Sequence, residues 1–109
     1  MDKKYEINAK IFKALSDPSR LKILDMLSCG EKCACEILES FDFTQPTLSH
    51  HMKVLMECEL VKSRKEGLWS YYCLDSNNTG KLMLFLMGIF TDTDDCICKQ
   101  KNKHNCSEC

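Results

Sequence analysis

Residues 82 to 90 read Leu-Met-Leu-Phe-Leu-Met-Gly-Ile-Phe, a run without one polar side chain near the end of a chain of only 109 residues. The run is interrupted by Gly88 and is far shorter than the roughly 20 apolar residues that cross a bilayer, so no membrane span is expected. Asn77, Asn78 and Thr79 offer caps just ahead of it, and it reads as a helix. A helix that is apolar all round must be covered on more than one side. A chain of this length makes one small domain with a modest core. The expected solution is a homodimer, in which this helix, along with the first, packs against its counterpart across a two-fold axis.

Nine residues are cysteine, a density that would ordinarily point to a secreted disulfide scaffold. The count is odd, so full internal pairing is impossible, and Met1-Asp2-Lys3-Lys4-Tyr5-Glu6 has no apolar stretch to serve as a secretory signal. A reducing cytoplasm with free thiols is therefore expected. The net charge of −1 would seem to weaken a case for binding a polyanion, because phosphate contacts supply most sequence-independent affinity. Distribution matters more than the total. Lys53, Lys62, Arg64 and Lys65 lie close together, whereas Asp92, Asp94 and Asp95 gather elsewhere, and a local basic surface is compatible with a neutral chain.

Ile7, Ile11, Phe12 and Leu15 have helical spacing, and this first helix ends at Ser16-Asp17-Pro18. Asp17 can cap a second helix and Pro18 costs no hydrogen bond in its first turn, so that helix is expected over about Ser19 to Leu27, with Leu21, Leu24 and Leu27 inward and Gly30 closing it. A short third helix, roughly Ala34 to Ser40, buries Ile37 and Leu38. Phe41-Asp42-Phe43 then leads to a fourth that starts near Thr44 and carries Pro46 in its first turn. Leu48, Met52, Leu55 and Met56 follow the i, i+4, i+7, i+8 pattern of a buried stripe. Short helix, turn, longer helix is the helix-turn-helix pattern. Outside the stripe stand Gln45, Thr47, Ser49, His50 and Lys53, side chains able to reach base edges of double-stranded DNA from the major groove. A solvated helix face would look the same; the next segment tilts the reading toward DNA.

Leu60-Val61-Lys62-Ser63-Arg64-Lys65, then Glu66-Gly67, then Leu68-Trp69-Ser70-Tyr71-Tyr72-Cys73-Leu74 reads as a β-hairpin. With Lys62 and Arg64 on one face and Lys65 at the tip, it becomes a basic wing for the phosphate backbone. The expected fold is mainly α with a β-hairpin, a winged helix-turn-helix over residues 1–92, followed by a cysteine-rich tail over 93–109.

Three segments carry a resemblance to a known family: Phe12-Lys13-Ala14-Leu15-Ser16-Asp17-Pro18-Ser19-Arg20-Leu21-Lys22-Ile23-Leu24, Thr44-Gln45-Pro46-Thr47-Leu48-Ser49-His50-His51-Met52-Lys53-Val54-Leu55, and Arg64-Lys65-Glu66-Gly67 with Tyr71-Tyr72. Over residues 7 to 90 the chain resembles the ArsR/SmtB family of bacterial winged-helix, metal-responsive repressors. The resemblance implies an apo dimer seated on its operator and released when metal binds, with Gln45, Thr47, Ser49 and His50 touching DNA.

Cys33 and Cys35, ahead of the expected recognition helix, nominate a soft inducer. Thiolates favour arsenite, antimonite, cadmium, lead and zinc over magnesium or calcium. Residues i and i+2 of a regular helix point to nearly opposite sides, so both sulfurs hold one atom only if the third helix unwinds at its start or begins after Cys33. Because that helix supports the recognition helix, ligation would strain it and weaken DNA binding. Swinging a two-state population from 1:99 to 99:1 takes about 5.5 kcal/mol, and thiolate-rich sites yield on the order of 10 kcal/mol on metal binding. A Cys-x-Cys here is similar to the arsenic- and cadmium/lead-sensing branches, whose motif often reads Cys-Val-Cys-Asp-Leu-Cys. Leu38 replaces the third cysteine, so a three-sulfur site needs a donor from Cys29, the tail or the other subunit. A two-sulfur site would suit trivalent organoarsenicals, whose carbon already occupies one bond on arsenic.

The tail carries Cys96, Cys98, His104, Cys106 and Cys109; its four thiolates could hold zinc as a knuckle, lend a ligand to the first site, or oxidise. Cys29, Cys58 and Cys73 read as small buried hydrophobes. His50 and His51 read as DNA contacts or packing, and the histidines of the family's zinc-sensing branch are absent beside Asp92, Asp94 and Asp95. Trivalent arsenic or antimony is the expected inducer, with cadmium, lead or zinc as the alternative. A thiol redox regulator is a further alternative, since cysteines near a helix N-terminus favour low pKa values and oxidation. An enzyme is not expected: the sequence lacks an anion-cradling loop and a redox Cys-x-x-Cys in a βαβ setting.

Overall fold

The computed structural model of the chain describes residues 1–91. α1 (Lys3–Leu15) begins ahead of Ile7 because the Asp2 carboxylate accepts from the Lys4 amide at 3.0 Å and caps it. α2 (Pro18–Leu27) has the expected Asp-Pro start, with the Asp17 carboxylate accepting from the Ser19 and Arg20 amides at 2.8 and 3.2 Å. Its inward face differs from the expected stripe. Ile23 and Leu27 are buried, Leu24 is half-buried and Leu21 is 52% exposed. The cause is Arg20, which donates through Nε to the Ala14 carbonyl at 2.6 Å and through Nη1 to His51 at 3.2 Å. That anchors the Arg20 face inward, and Ile23 and Leu27, three and seven residues on, share it.

Gly30, at φ +126°, turns the chain out of α2, a conformation open to glycine and strained for other residues. It leads to a two-residue strand, β1 (Lys32–Cys33), that the sequence did not disclose. α3 (Ala34–Leu38) is shorter than expected; Ile37 is buried and Leu38 half-buried. α4 (Gln45–Glu57) follows from Thr44 in extended conformation, with Pro46 in the first turn, and the Thr44 side chain makes no capping bond. Leu48, Met52 and Leu55 face inward as the periodicity predicts, with Met56 half-buried and His51 joining them.

β2 (Val61–Glu66) and β3 (Trp69–Leu74) form the hairpin, with Glu66 opposite Trp69. The turn is Gly67-Leu68, one residue later than expected, because Gly67 at φ +61° is its first residue. β1 pairs antiparallel with β3, placing Lys32 opposite Tyr72 and Cys33 opposite Tyr71, so the hairpin becomes a three-stranded sheet of order β1-β3-β2. α5 (Ser76–Phe90) begins earlier than the Asn77–Thr79 caps suggest, since the Asp75 carboxylate accepts from the Asn78 amide at 3.2 Å and from Asn78 Nδ2 at 3.0 Å.

Met1–Thr79 forms one compact unit, and a second begins at Gly80. The core of the first comprises Ile23 and Leu27 of α2, Ile37 of α3, Leu48, Met52 and Leu55 of α4, and Leu60, Val61 and Tyr72 in and beside the sheet. In the second, Leu82 is buried while Met83, Leu84, Met87, Ile89 and Phe90 are 48 to 81% exposed. No helix among the described residues is long and apolar enough to cross a membrane.

Candidate thiol site and nucleic-acid interface

Cys33 ends β1 and is the N-cap of α3, with extended backbone at φ −71° and ψ 147°, while Cys35 lies inside the first turn. The helix therefore begins after Cys33, which satisfies the condition for the two sulfurs to converge. They lie 2.8 Å apart, with the Cys35 thiol donating to Cys33 Sγ. Glu36 closes the cap by accepting from the Cys33 amide at 2.9 Å. Cys33 is buried and Cys35 exposed, so the pair opens to solvent on one side. The bond from Cys35 to Cys33 holds the Cys35 thiol above its usual pKa, as do desolvation and the neighbouring negative charge. Holding one soft atom replaces the thiol-to-thiol bond by two bonds from sulfur to that atom, so the pair must rearrange on loading.

Cys33, Tyr71 and Arg64 stand opposite one another in a single row across β1, β3 and β2, and residues directly opposite present side chains to the same face. Arg64 is half-exposed there and bonded on several edges. It donates through Nε and Nη2 to the two Glu31 carboxylate oxygens at 2.8 and 2.7 Å. Its Nη1 is 3.0 Å from Glu66, and the guanidinium stacks 4.5 Å from the Tyr71 ring centroid. The fork bonded to Glu31 lowers that carboxyl below its usual pKa and raises the guanidinium. Tyr71 is pushed up by desolvation, then by Glu66 and the Cys33 thiol, with Arg64 opposing. Sequence reasoning singled out Arg64 as a wing cation and missed Glu31, which lies 33 positions away in the chain.

The outer face of α4 is open. Gln45, Thr47, Ser49, His50 and Lys53 of α4 are all exposed, as are Lys62 and Lys65 of the wing. These side chains share one helix and one hairpin, and of the wing cations the ion pairs engage only Arg64 among the described residues. His51 points the other way. It is 8% exposed, packs against Phe43 with ring centroids 5.3 Å apart, and lies 3.2 Å from Arg20 Nη1 through its Nδ1. Arginine can only donate, so Nδ1 accepts and the neutral ring carries its proton on Nε2. Burial, assisted by Arg20 and His50 against the opposing pull of Asp17, lowers the His51 pKa below 6.5.

Cys96, Cys98, His104, Cys106 and Cys109 lie outside the described residues, as do Asp92, Asp94 and Asp95 and the tail as a whole. Among the described residues no group of three or more His, Cys, Asp or Glu is placed to hold a metal ion. The two converging sulfurs are a donor pair that fits a soft, thiophilic ligand. Cys29 is exposed, and Cys58 and Cys73 are half-buried. Cys58 lines a groove of about 530 Å³ with Ile7, Ile11, Ala14 and Val54, which shares no residue with the thiol pair.

Residues 17–63 match the bacterial regulatory protein, arsR family. The chain is 48% identical over 102 residues to an arsenical resistance operon repressor of Staphylococcus aureus, covering 94% of this chain and 98% of that protein. Among solved structures it is similar to a possible transcriptional regulator for arsenical resistance, with a TM-score of 0.67 and 28% identity over 73% of this chain and 83% of that one. It is also similar to the homodimeric winged helix-turn-helix DNA-binding domain of a possible ArsR-family regulator from Mycobacterium bovis. There the TM-score is 0.64 at 28% identity, over 77% of this chain and 79% of that one.

Proposed function

The chain belongs to the ArsR family of bacterial regulatory proteins, and we propose that it is a homodimeric repressor that leaves its operator when trivalent arsenic or antimony binds Cys33 and Cys35. Its role is DNA binding and transcriptional control rather than catalysis. The observation that carries the inducer reading is the convergence of the two sulfurs at 2.8 Å, at the start of the helix that precedes the recognition helix. Arsenite or an organic arsenical would be held as each thiol loses its hydrogen and arsenic loses a hydroxyl, with water leaving and one sulfur–arsenic bond forming. The two-sulfur set is complete for an organoarsenical; arsenite and antimonite have room for a third sulfur, from Cys29 or from Cys96, Cys98, Cys106 or Cys109. Cadmium, lead or zinc remains the second reading, because thiolates suit all of them.

On the DNA side, Gln45, Thr47, Ser49 and His50 read base edges of double-stranded DNA, and Lys53, Lys62 and Lys65 hold phosphates. Arg64 belongs to the same basic surface, with its fork already bonded to Glu31 and Glu66. Pairing of two copies is supported by the exposed apolar side chains of α5 and by Ile7 of α1, which is 57% exposed. A dimer also supplies geometry, because two recognition helices about 34 Å apart enter successive major grooves.

The test is fluorescence anisotropy of the reduced protein on labelled DNA from upstream of its own coding sequence, titrated with arsenite, phenylarsine oxide, antimonite, cadmium and zinc. Release by the arsenicals and antimonite at the lowest concentrations is the expected result. Release by cadmium or zinc alone would move the chain to the divalent reading, and release only after mild oxidation would move it to redox control.

A further inference from the structure

We infer that the Glu31–Arg64 pair is the strut through which the thiol pair sets the wing, making Arg64 a positioning residue. The inference rests on reading Cys33 and Cys35 as the sensing site. Four observations converge. Cys33, Tyr71 and Arg64 occupy one row of the sheet, one residue from each strand. Glu31 is two residues ahead of Cys33, so a displacement of β1 reaches both. Arg64 is bonded to Glu31 at two points, 2.8 and 2.7 Å, a planar fork-to-carboxylate match that fixes orientation as well as distance. Its remaining edge is bonded to Glu66 at the wing turn, with Tyr71 stacked beneath.

A free guanidinium fork would be the strongest phosphate binder on this hairpin. Here it faces two carboxylates, so the trio of Arg64, Glu31 and Glu66 is net negative, and the positive charge offered to DNA falls to Lys62 and Lys65. The Arg64 side chain is half-exposed, and an exposed pair of this kind adds little to global stability. What it supplies is position: it ties the hairpin to the segment that enters the thiol site. Replacing the bond between the two thiols by two bonds to one ligand atom repositions Cys33, Cys35 or both. Movement of Cys33 shifts Glu31, which immediately precedes β1, loosens the two-point hold on Arg64, and lets the wing depart from the orientation that α4 and the phosphates require. Loss of DNA affinity then has a route through the sheet in addition to the route through α3.

Trp69, the only tryptophan in the chain, stands opposite Glu66 beside the turn and reports the wing without DNA. The experiment uses the full-length reduced protein, loaded with sodium arsenite or phenylarsine oxide. It compares wild type with Glu31→Gln and with Arg64→Lys, which keeps the charge and loses the fork. Loading is followed by titration of free thiols, wing movement by Trp69 emission, and release by the ratio of DNA dissociation constants with and without inducer. Wild type is expected to show both the emission change and release. Glu31→Gln should consume as many thiols as wild type but bind operator more weakly when unloaded, so that its emission change shrinks and its release ratio falls roughly fivefold or more. Arg64→Lys should lose coupling in the same way. If both variants keep the wild-type emission change and release ratio, the strut is overturned and the sensing site stands. If loaded wild type stays on DNA, the sensing reading falls and takes the strut with it.

Discussion

Cys33 and Cys35 are separated by one residue, and their sulfurs are 2.8 Å apart because the start of α3 falls between them. Were both inside the helix, the pair would diverge by about 200° around its axis. The pairing of Cys33 with Tyr71 of β3 is what keeps Cys33 out of the helix. The site is therefore built by the sheet as much as by the helix.

The chemistry of that pair distinguishes inducers by pH. Condensation of two thiols with arsenous acid releases water and no net proton. Binding a divalent ion releases up to two protons, and the Cys35 proton is held above its usual pKa by the bond to Cys33. Between pH 6.5 and 8, the arsenite concentration giving half-release should stay within about a factor of three, while any cadmium response should strengthen roughly tenfold per pH unit for each thiol deprotonated. Competition titrations at three pH values measure this.

Tyr71 offers a test of the sheet's part in the site. Its ring lies beneath Arg64 and its backbone pairs with Cys33. Tyr71→Phe keeps the stacked ring and should leave release nearly intact, whereas Tyr71→Ser removes it and should weaken coupling of thiol loading to DNA release several-fold. The measurement is the same ratio of DNA dissociation constants with and without arsenite.

The two sides of α4 separate stability from DNA binding. Leu48 is 1% exposed, and Leu48→Ala should cost about 2–5 kcal/mol in urea unfolding, a large part of a typical domain's stability. Lys53→Ala, on the exposed side, should shift stability by no more than about 0.5 kcal/mol. It should instead weaken operator binding and reduce the slope of log K against log salt by about 1.

His51 makes the helix-turn-helix acid-sensitive. Its folded-state pKa is depressed, chiefly by burial, so the neutral ring is favoured by folding. The associated stability is present above the unfolded value near 6.5 and is lost as pH falls through the lower folded value. Protonating Nδ1 also turns the acceptor of the Arg20 bond into a donor facing a cation. The stability of wild type relative to His51→Gln should therefore fall on going from pH 7.5 to pH 5, as measured by chemical unfolding at each pH. A difference that stays constant would remove His51 from the account.

Much of this architecture was legible because it depends on local signals. Asp17-Pro18, Pro46 and the Leu48-Met52-Leu55 period each act within one or two helical turns, and the helices appear where those signals place them. What escaped notice depends on distant partners. β1 has two residues and no propensity signal of its own; Tyr71 and Tyr72 make it a strand. Leu21 fits the helical period as well as Ile23 does, and the decision between them lies with Arg20 reaching Ala14 and His51. At the site, the Cys-x-Cys spacing nominated a soft ligand, and the requirement that α3 unwind at its start or begin after Cys33 followed from helix geometry. The fate of Arg64 did not, because a basic residue on a wing reads as a phosphate contact until the carboxylate of Glu31 is seen beside it.

The most direct measurement is operator release by sodium arsenite, followed by anisotropy, for reduced wild type, Cys33→Ser and Cys35→Ser. All three proteins should bind operator without inducer, and each serine variant should need at least roughly tenfold more arsenite than wild type for release. Release of both variants at the wild-type concentration would contradict the account, because the inducer would then act through sulfurs other than Cys33 and Cys35.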